Sequence, residues 1–223
     1  MSDLAPQTKD EIRQQMREQR HAITSEDRMA TGKTIAKNVM GDSLRLLLKT
    51  WRVCIYLSTK NEIPTRYIAR AFWEAGREVC VPAWSKSESA YKLYAFDPQM
   101  KLIKGHHDIR EPAVRIPVMP WDVDAFILPG LAFDNCGGRL GYGAGHYDGI
   151  LAKATRHAPK IALAYDWQIV DVPLPQEEHD ILMDWVVTEK RVINCVANRT
   201  NTGKTLQQAT GCAAISQPVT RNA

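Results

Sequence analysis

Residues 51–82, WRVCIYLSTKNEIPTRYIARAFWEAGREVCVP, decide the architecture. Val53-Cys54-Ile55-Tyr56-Leu57 is a short apolar run rich in β-formers, closed by the polar loop Ser58 to Glu62. Pro64 suits the first position of a helix, and Gly76 suits its stop. Val79-Cys80-Val81 then reads as a second strand. Strand, helix and strand in this order form a βαβ unit, the building block of a parallel sheet.

The same logic extends outward. Ala125-Phe126-Ile127-Leu128 is wholly apolar, as a central strand buried on both faces must be. Ile161–Ala164 and Trp185–Val187 add two more strands, and a further one is expected near Leu93–Phe96. Ile109 to Pro120 carries Pro112, Pro117 and Pro120 and reads as an extended connection. Upstream, Thr8 with Glu11 is a capping box opening a helix to about Arg20. Thr24 with Asp27 opens another through Met29, Ile35 and Val39, stopped near Gly41. The expectation is one α/β domain over residues 1–193. From 194 to 223 the chain is rich in Thr, Gln, Asn and Ala, and a poorly ordered tail is expected there.

Composition excludes several classes. Hydrophobic residues make up 44% and charged residues 24% of 223, an ordinary globular balance. No run approaches the ~18 apolar residues of a membrane span, and MSDLAPQTKDEIRQQ lacks a signal-peptide core. Cys54, Cys80, Cys136, Cys195 and Cys212 are odd in number and scattered, which points to reduced thiols in a cytoplasmic protein. The formal charge of +4 belongs to the end of the chain. Lys190, Arg191, Arg199, Lys204 and Arg221 occur with no acid after residue 189, leaving 24 cations against 25 acids before it. A body of net −1 gives no support to nucleic-acid binding.

The chemistry concentrates in Leu128-Pro-Gly-Leu-Ala-Phe-Asp-Asn-Cys-Gly-Gly-Arg139-Leu140-Gly141-Tyr142-Gly143-Ala144-Gly145-His146-Tyr147-Asp148. A buried strand ends and alternating glycines lead into a helix. Such a turn offers backbone N–H groups to phosphate, Arg139 could add a bidentate contact, and Asp148 could hold magnesium. The pattern is neither a P-loop nor G-x-G-x-x-G, which disfavours a nicotinamide oxidoreductase. By itself it is equally a tight turn with no ligand. Lys9, Arg13, Arg17 and Arg20 fall within an arc of about 80° on a helix. They form either a solvated basic face or a rack of cations for an anionic ligand.

Three blocks carry a resemblance to a known family. They are Lys9-x-x-x-Arg13 with Ala22-Ile-Thr-Ser-Glu-Asp-Arg28; Tyr56-Leu57-Ser58 with Glu62-Ile63; and Pro129-Gly-Leu-Ala-Phe-Asp-x-x-Gly-x-Arg139 through Tyr147-Asp148. Glu111-Pro112 and the stretch Asp180 to Thr188 add weaker support. Over residues 8 to 189 the chain resembles the 5-formyltetrahydrofolate cyclo-ligase family, also called 5,10-methenyltetrahydrofolate synthetase.

The resemblance implies a three-layer α/β/α fold of the NagB/RpiA/CoA-transferase type with a mostly parallel central sheet. It implies ATP- and Mg2+-dependent cyclisation of 5-formyltetrahydrofolate to 5,10-methenyltetrahydrofolate, with ADP and phosphate released. Lys9, Arg13 and the segment Arg139, Leu140, Gly141, Tyr142, Gly143, Ala144, Gly145, His146, Tyr147 are then expected at ATP. Leu57, Glu62, His146 and Tyr147 are expected at the folate, which can carry a polyglutamate tail. Arg139 and Tyr147 take the catalytic roles. Asp148 and Asp180 become the magnesium ligands, with Asp184 the competitor of Asp180. Arg17 and Arg20 are left as surface residues. The expected partners are the small-molecule substrates alone, without nucleic acid or membrane, and the expected state is a monomer. His146, Ala144 and Gly149 depart from the family pattern, and the first two motivate a second reading: a nucleotide- or folate-binding protein with little turnover. A third, RNA binding through the basic tail, would be salt-sensitive.

Overall fold

A computed structural model describes residues 8–59, 61–106, 109–177 and 180–201. The strands are, in chain order, β1 (Arg52–Ile55), β2 (Glu78–Ser85), β3 (Ala90–Phe96), β4 (Leu102–Lys104), β5 (Arg110–Pro112), β6 (Pro117–Val118), β7 (Ala125–Leu128), β8 (Ala132–Asp134), β9 (Arg139–Leu140), β10 (Lys160–Leu163), β11 (Ile169–Val170), β12 (Trp185–Val187) and β13 (Val192–Asn194). The α-helices are α1 (Lys9–His21), α2 (Ser25–Val39), α3 (Arg66–Glu74) and α4 (His146–Leu151).

One eight-stranded sheet runs in the order β13-β12-β10-β7-β1-β2-β3-β6. Its centre, β12-β10-β7-β1-β2, is parallel, and β13, β3 and β6 join antiparallel at the two sides. Val53 and Ile55 of β1 face α2 and α3 through Ile35, Val39, Ile68 and Phe72. Cys54 faces the opposite way, with Phe126, Leu128 and the α4 residues Ile150 and Leu151. That period-2 alternation puts one helical layer on each side of the sheet, as expected. A small sheet, β11-β8-β9, lies under α1, whose Ile12 and Met16 pack on Leu131, Ala132 and Leu140.

The βαβ unit forms as read, with β1 and β2 parallel and in register from Arg52↔Glu78. Its helix begins later than Pro64. Thr65 is the N-cap, and its hydroxyl donates to the Tyr56 carbonyl rather than capping the helix. The Pro64 ring instead lies against Gly32 of α2, where an added Cβ would come within 2.8 Å of it. β3 is longer than expected because it pairs antiparallel with β2 along seven residues. The proline-rich connection holds the short strands β5 and β6.

The first residues of the stretch expected to be a tail from 194 are structured instead. Asn194 closes β13, residues 195–201 are helical, and Arg199 donates to the carbonyls of Cys136 and Met183. Cys195 is fully buried in the core, an anchor that the polar composition concealed. Residues 202–223, the rest of that expected tail, lie outside the described residues. Among the described residues no helix is long and apolar enough to cross a membrane.

Candidate functional site

The parallel strands occur in the order 2-1-3-4-5 when numbered along the chain, so the winding direction reverses between β1 and β7. In open α/β sheets a ligand crevice forms beyond the carboxyl ends of the strands at that reversal. Here β1 is followed by Tyr56-Leu57 and β7 by Pro129, and all three residues line a cavity of about 510 Å³. This volume falls in the range of small-molecule sites. Every residue assigned above to ATP, folate or metal lines the same cavity, from Lys9 and Arg13 on α1 to Asp148 and Asp180. Asp184 does not: its carboxylate accepts from the Lys160 backbone N–H at the opposite end of β10.

The glycine segment is fixed from below. Asp134 is buried, and its carboxylate accepts from the backbone N–H groups of Cys136, Gly138 and Leu174 at 2.8, 2.8 and 2.9 Å. That turn delivers Arg139 into β9, opposite Phe133 of β8. Gly143 and Gly145 then take φ of +103° and +64°, a region that residues with a Cβ adopt at a cost. The loop of 141–145 therefore turns tightly and reaches the cavity with its backbone. The helix that follows, α4, is six residues long.

Arg139 and Asp148 are partners: an Arg139 Nη donates to Asp148 Oδ1 at 2.7 Å, and only 7% of the arginine side chain is exposed. Arg139 Nε is buried and has no acceptor among the described residues. The guanidinium lies 5.8 Å from the centre of the Tyr147 ring. Lys9 bonds Glu177 at 2.8 Å and Asp180 at 3.1 Å, and the hydrogen bond to Glu177 foremost raises its pKa. Arg13 donates from Nε to the Gly141 carbonyl and pairs with Asp10. A phosphate entering here would meet cations already held in place by acids.

Glu62 is buried; one oxygen accepts from the Thr59 N–H at 2.8 Å, the other from the Tyr142 hydroxyl at 3.3 Å. Burial first, and Glu62 second, push the Tyr147 hydroxyl well above its ordinary pKa. Tyr147 therefore keeps its proton near neutral pH. Asp148 and Asp180 both line the cavity, the first paired with Arg139 and the second with Lys9. Among the described residues there is no group of three or more His, Cys, Asp or Glu placed to hold a metal. A magnesium ion is commonly held by one or two carboxylates plus substrate phosphates, so two acids on the wall of one cavity fit it.

Several lining residues escaped the sequence reading. Tyr91 of β3 forms an aromatic wall with His146, ring centres 4.8 Å apart, and Trp84 lies 6.1 Å from the same imidazole. The histidine thus takes part in a ring cluster on the cavity wall. Glu177 gave no signal because its partner, Lys9, lies 168 residues away. Arg20 is corrected: it is buried, donating to the Tyr142 hydroxyl and to the Gly130 carbonyl. Gly149 has open space around a would-be Cβ, so packing does not dictate that departure.

The 5-formyltetrahydrofolate cyclo-ligase family matches residues 5–189. The 5-formyltetrahydrofolate cyclo-ligase of Escherichia coli K12 is 32% identical over 181 residues, covering 79% of this chain and 98% of its own length. The mouse enzyme of that name is 29% identical, with 80% and 92% covered. Among solved structures, Aquifex aeolicus 5,10-methenyltetrahydrofolate synthetase superposes with a TM-score of 0.72 at 30% identity, covering 84% of this chain and 92% of that one. The Mycoplasma pneumoniae 5,10-methenyltetrahydrofolate synthetase, at 20% identity and a TM-score of 0.66, shares the fold over 82% of this chain. With its sheet order, its cavity at the strand reversal and this extent of match, the chain belongs to the 5-formyltetrahydrofolate cyclo-ligase family.

Proposed function

We propose that the protein cyclises 5-formyltetrahydrofolate to 5,10-methenyltetrahydrofolate at the expense of ATP. One observation carries the reading: the residues implied for nucleotide and for folate, scattered from 9 to 180, line one cavity. The carboxylate of Glu62 suits the N–H edge of a pterin, with Leu57 beside it. Lys9, Arg13, Arg139 and the backbone of 141–145 suit a triphosphate.

The chemistry asks mainly for positioning. The formyl oxygen attacks the γ-phosphorus, the bond to the β,γ-bridging oxygen breaks, and ADP leaves. Nitrogen-10 then attacks the formyl carbon of the iminium phosphate, and phosphate departs with the formyl oxygen. An amide-like oxygen is a poor leaving group until it is phosphorylated. No side chain need be a nucleophile, and transfer gains from in-line placement and charge neutralisation. Arg139 would meet the transferring phosphoryl group, and Tyr147 would donate to an oxygen of the reacting centre. Asp148 and Asp180 would hold a magnesium ion accompanying the nucleotide, which when bound would supply neutralisation of phosphate charge.

The test is absorbance at the methenyl-folate band with protein, 5-formyltetrahydrofolate, magnesium and ATP, against an ATP-free control. An ATP-dependent rise is expected, abolished by EDTA. No rise from folded protein that binds both ligands would leave a binding protein without turnover.

A further inference from the structure

Arg20 sits outside the chemistry just described, yet it is 6% exposed on α1 and its guanidinium is engaged at two places. One Nη donates to the Tyr142 hydroxyl at 2.5 Å and the other to the Gly130 carbonyl at 2.6 Å. Gly130 follows the end of β7, and the same carbonyl accepts from the buried Gln168 at 3.1 Å, so that end of the relay is held by a second bond. Tyr142 is the pivot. It lies between Gly141 and Gly143, neither of which has a side chain to hold the loop. Its hydroxyl accepts from Arg20 and donates to Glu62. Burial and the neighbouring carboxylate push that hydroxyl up to about 12, so it keeps its proton and remains a donor to Glu62. Glu62 has its other oxygen tied to Thr59 in the β1–α3 loop.

The chain of contacts therefore runs from the turn after β7, through Arg20 and the phosphate loop, to the carboxylate proposed for the folate. A nucleotide that reshapes the loop of 141–145 must move or fix Tyr142, and with it the hydrogen bonding of Glu62. We infer that Arg20 is a positioning residue that, through Tyr142, couples nucleotide binding to folate binding. The inference rests on the function proposed above.

Coupling between two ligands through such a network commonly amounts to about 5- to 150-fold in affinity. The experiment is calorimetric titration of 5-formyltetrahydrofolate alone and with saturating non-hydrolysable ATP analogue. For the unmodified protein the folate Kd is expected to fall at least about fivefold when the analogue is present. In Tyr142→Phe, which deletes one oxygen from a half-exposed ring, that ratio should drop below about twofold, whatever happens to each separate affinity. Arg20→Lys should lower the ratio likewise, and the double variant should be no worse than either single one, because both act through one relay. Should Arg20→Lys fail to fold, Tyr142→Phe still decides the matter. A residue of purely structural importance would lower the melting temperature and leave the ratio intact; that result overturns the inference. So does an unmodified protein that binds both ligands without mutual effect. If the unmodified protein binds neither ligand, the proposed function falls and the relay with it.

Discussion

Asp134→Asn tests the idea that one buried carboxylate sets the turn that aims Arg139. In the structure Oδ1 accepts from Cys136 and Gly138, and Oδ2 accepts from Leu174. An asparagine keeps one oxygen, so two bonds change from charge-assisted to neutral, at about 1 kcal/mol each. Its amide nitrogen then faces the Leu174 N–H, donor against donor. Leu174 is 5% exposed, so its N–H is left unsatisfied, at about 1–3 kcal/mol. No rotamer rescues all three, because three donors converge on an acceptor pair. The sum is about 3–5 kcal/mol, or about 6–20 °C in melting temperature for a domain of this size. Urea unfolding followed by circular dichroism at constant pH measures it. A loss under about 1 kcal/mol would refute the reasoning, since the carboxylate would then be replaceable by any small polar group.

Further expectations follow from the same coordinates. Arg139→Ala should lower kcat/KM about 10²- to 10³-fold in the methenyl absorbance assay, with circular dichroism unchanged; unaltered kinetics would remove Arg139 from the phosphate site. The pKa of Glu11 is lowered by the Thr8 backbone N–H it accepts from and then by the Thr8 hydroxyl, so its contribution to α1 is full above its unfolded value near 4.5. That contribution is lost as pH falls through the lower folded value; Glu11→Gln should flatten the acid limb of the stability curve below pH 4.5, and an unchanged limb would contradict the capping assignment. Burial raises the thiols of Cys54 and Cys195, the latter to about 12, and Cys80 is fully buried beside Cys54. All three should resist a disulfide reagent at pH 8 until urea unfolds the chain, and rapid labelling of any of them would mean the core opens readily.

What could be read from the sequence was local or repeated. β7 announced itself because burial on both faces needs an unbroken apolar run, and α1 because a capping box lies within four residues. Pro64 misled because helix-start preference is weak beside packing, and its ring is used against Gly32. Arg20 misled because a basic helical stripe looks the same whether solvated or buried. Its acceptors, Tyr142 and Gly130, lie 122 and 110 residues away. The glycine segment was readable as a turn, but its ligand preference came from the family resemblance and not from spacing. Tyr91 and Glu177 were invisible for the reason that hid Arg20: their partners are distant in sequence. The chain after 194 looked like tail because polar residues dominate it, while Cys195 and Arg199 do the anchoring.

The strand that closes the sheet beyond β12 has a consequence for the sheet's border. The family match ends at residue 189, before β13 begins. A chain cut there would present Trp185-Val186-Val187 as an open border, with backbone donors and acceptors free to pair with another molecule. Three residues of β13 cover it, and the helical turn after them pins the cover down through Arg199. At the far border β6 is two residues long and starts with a proline, which has no N–H to offer a visiting strand. Both margins of the sheet are thereby short, and the one on the β12 side depends on the three residues of β13 and the helical turn that holds them.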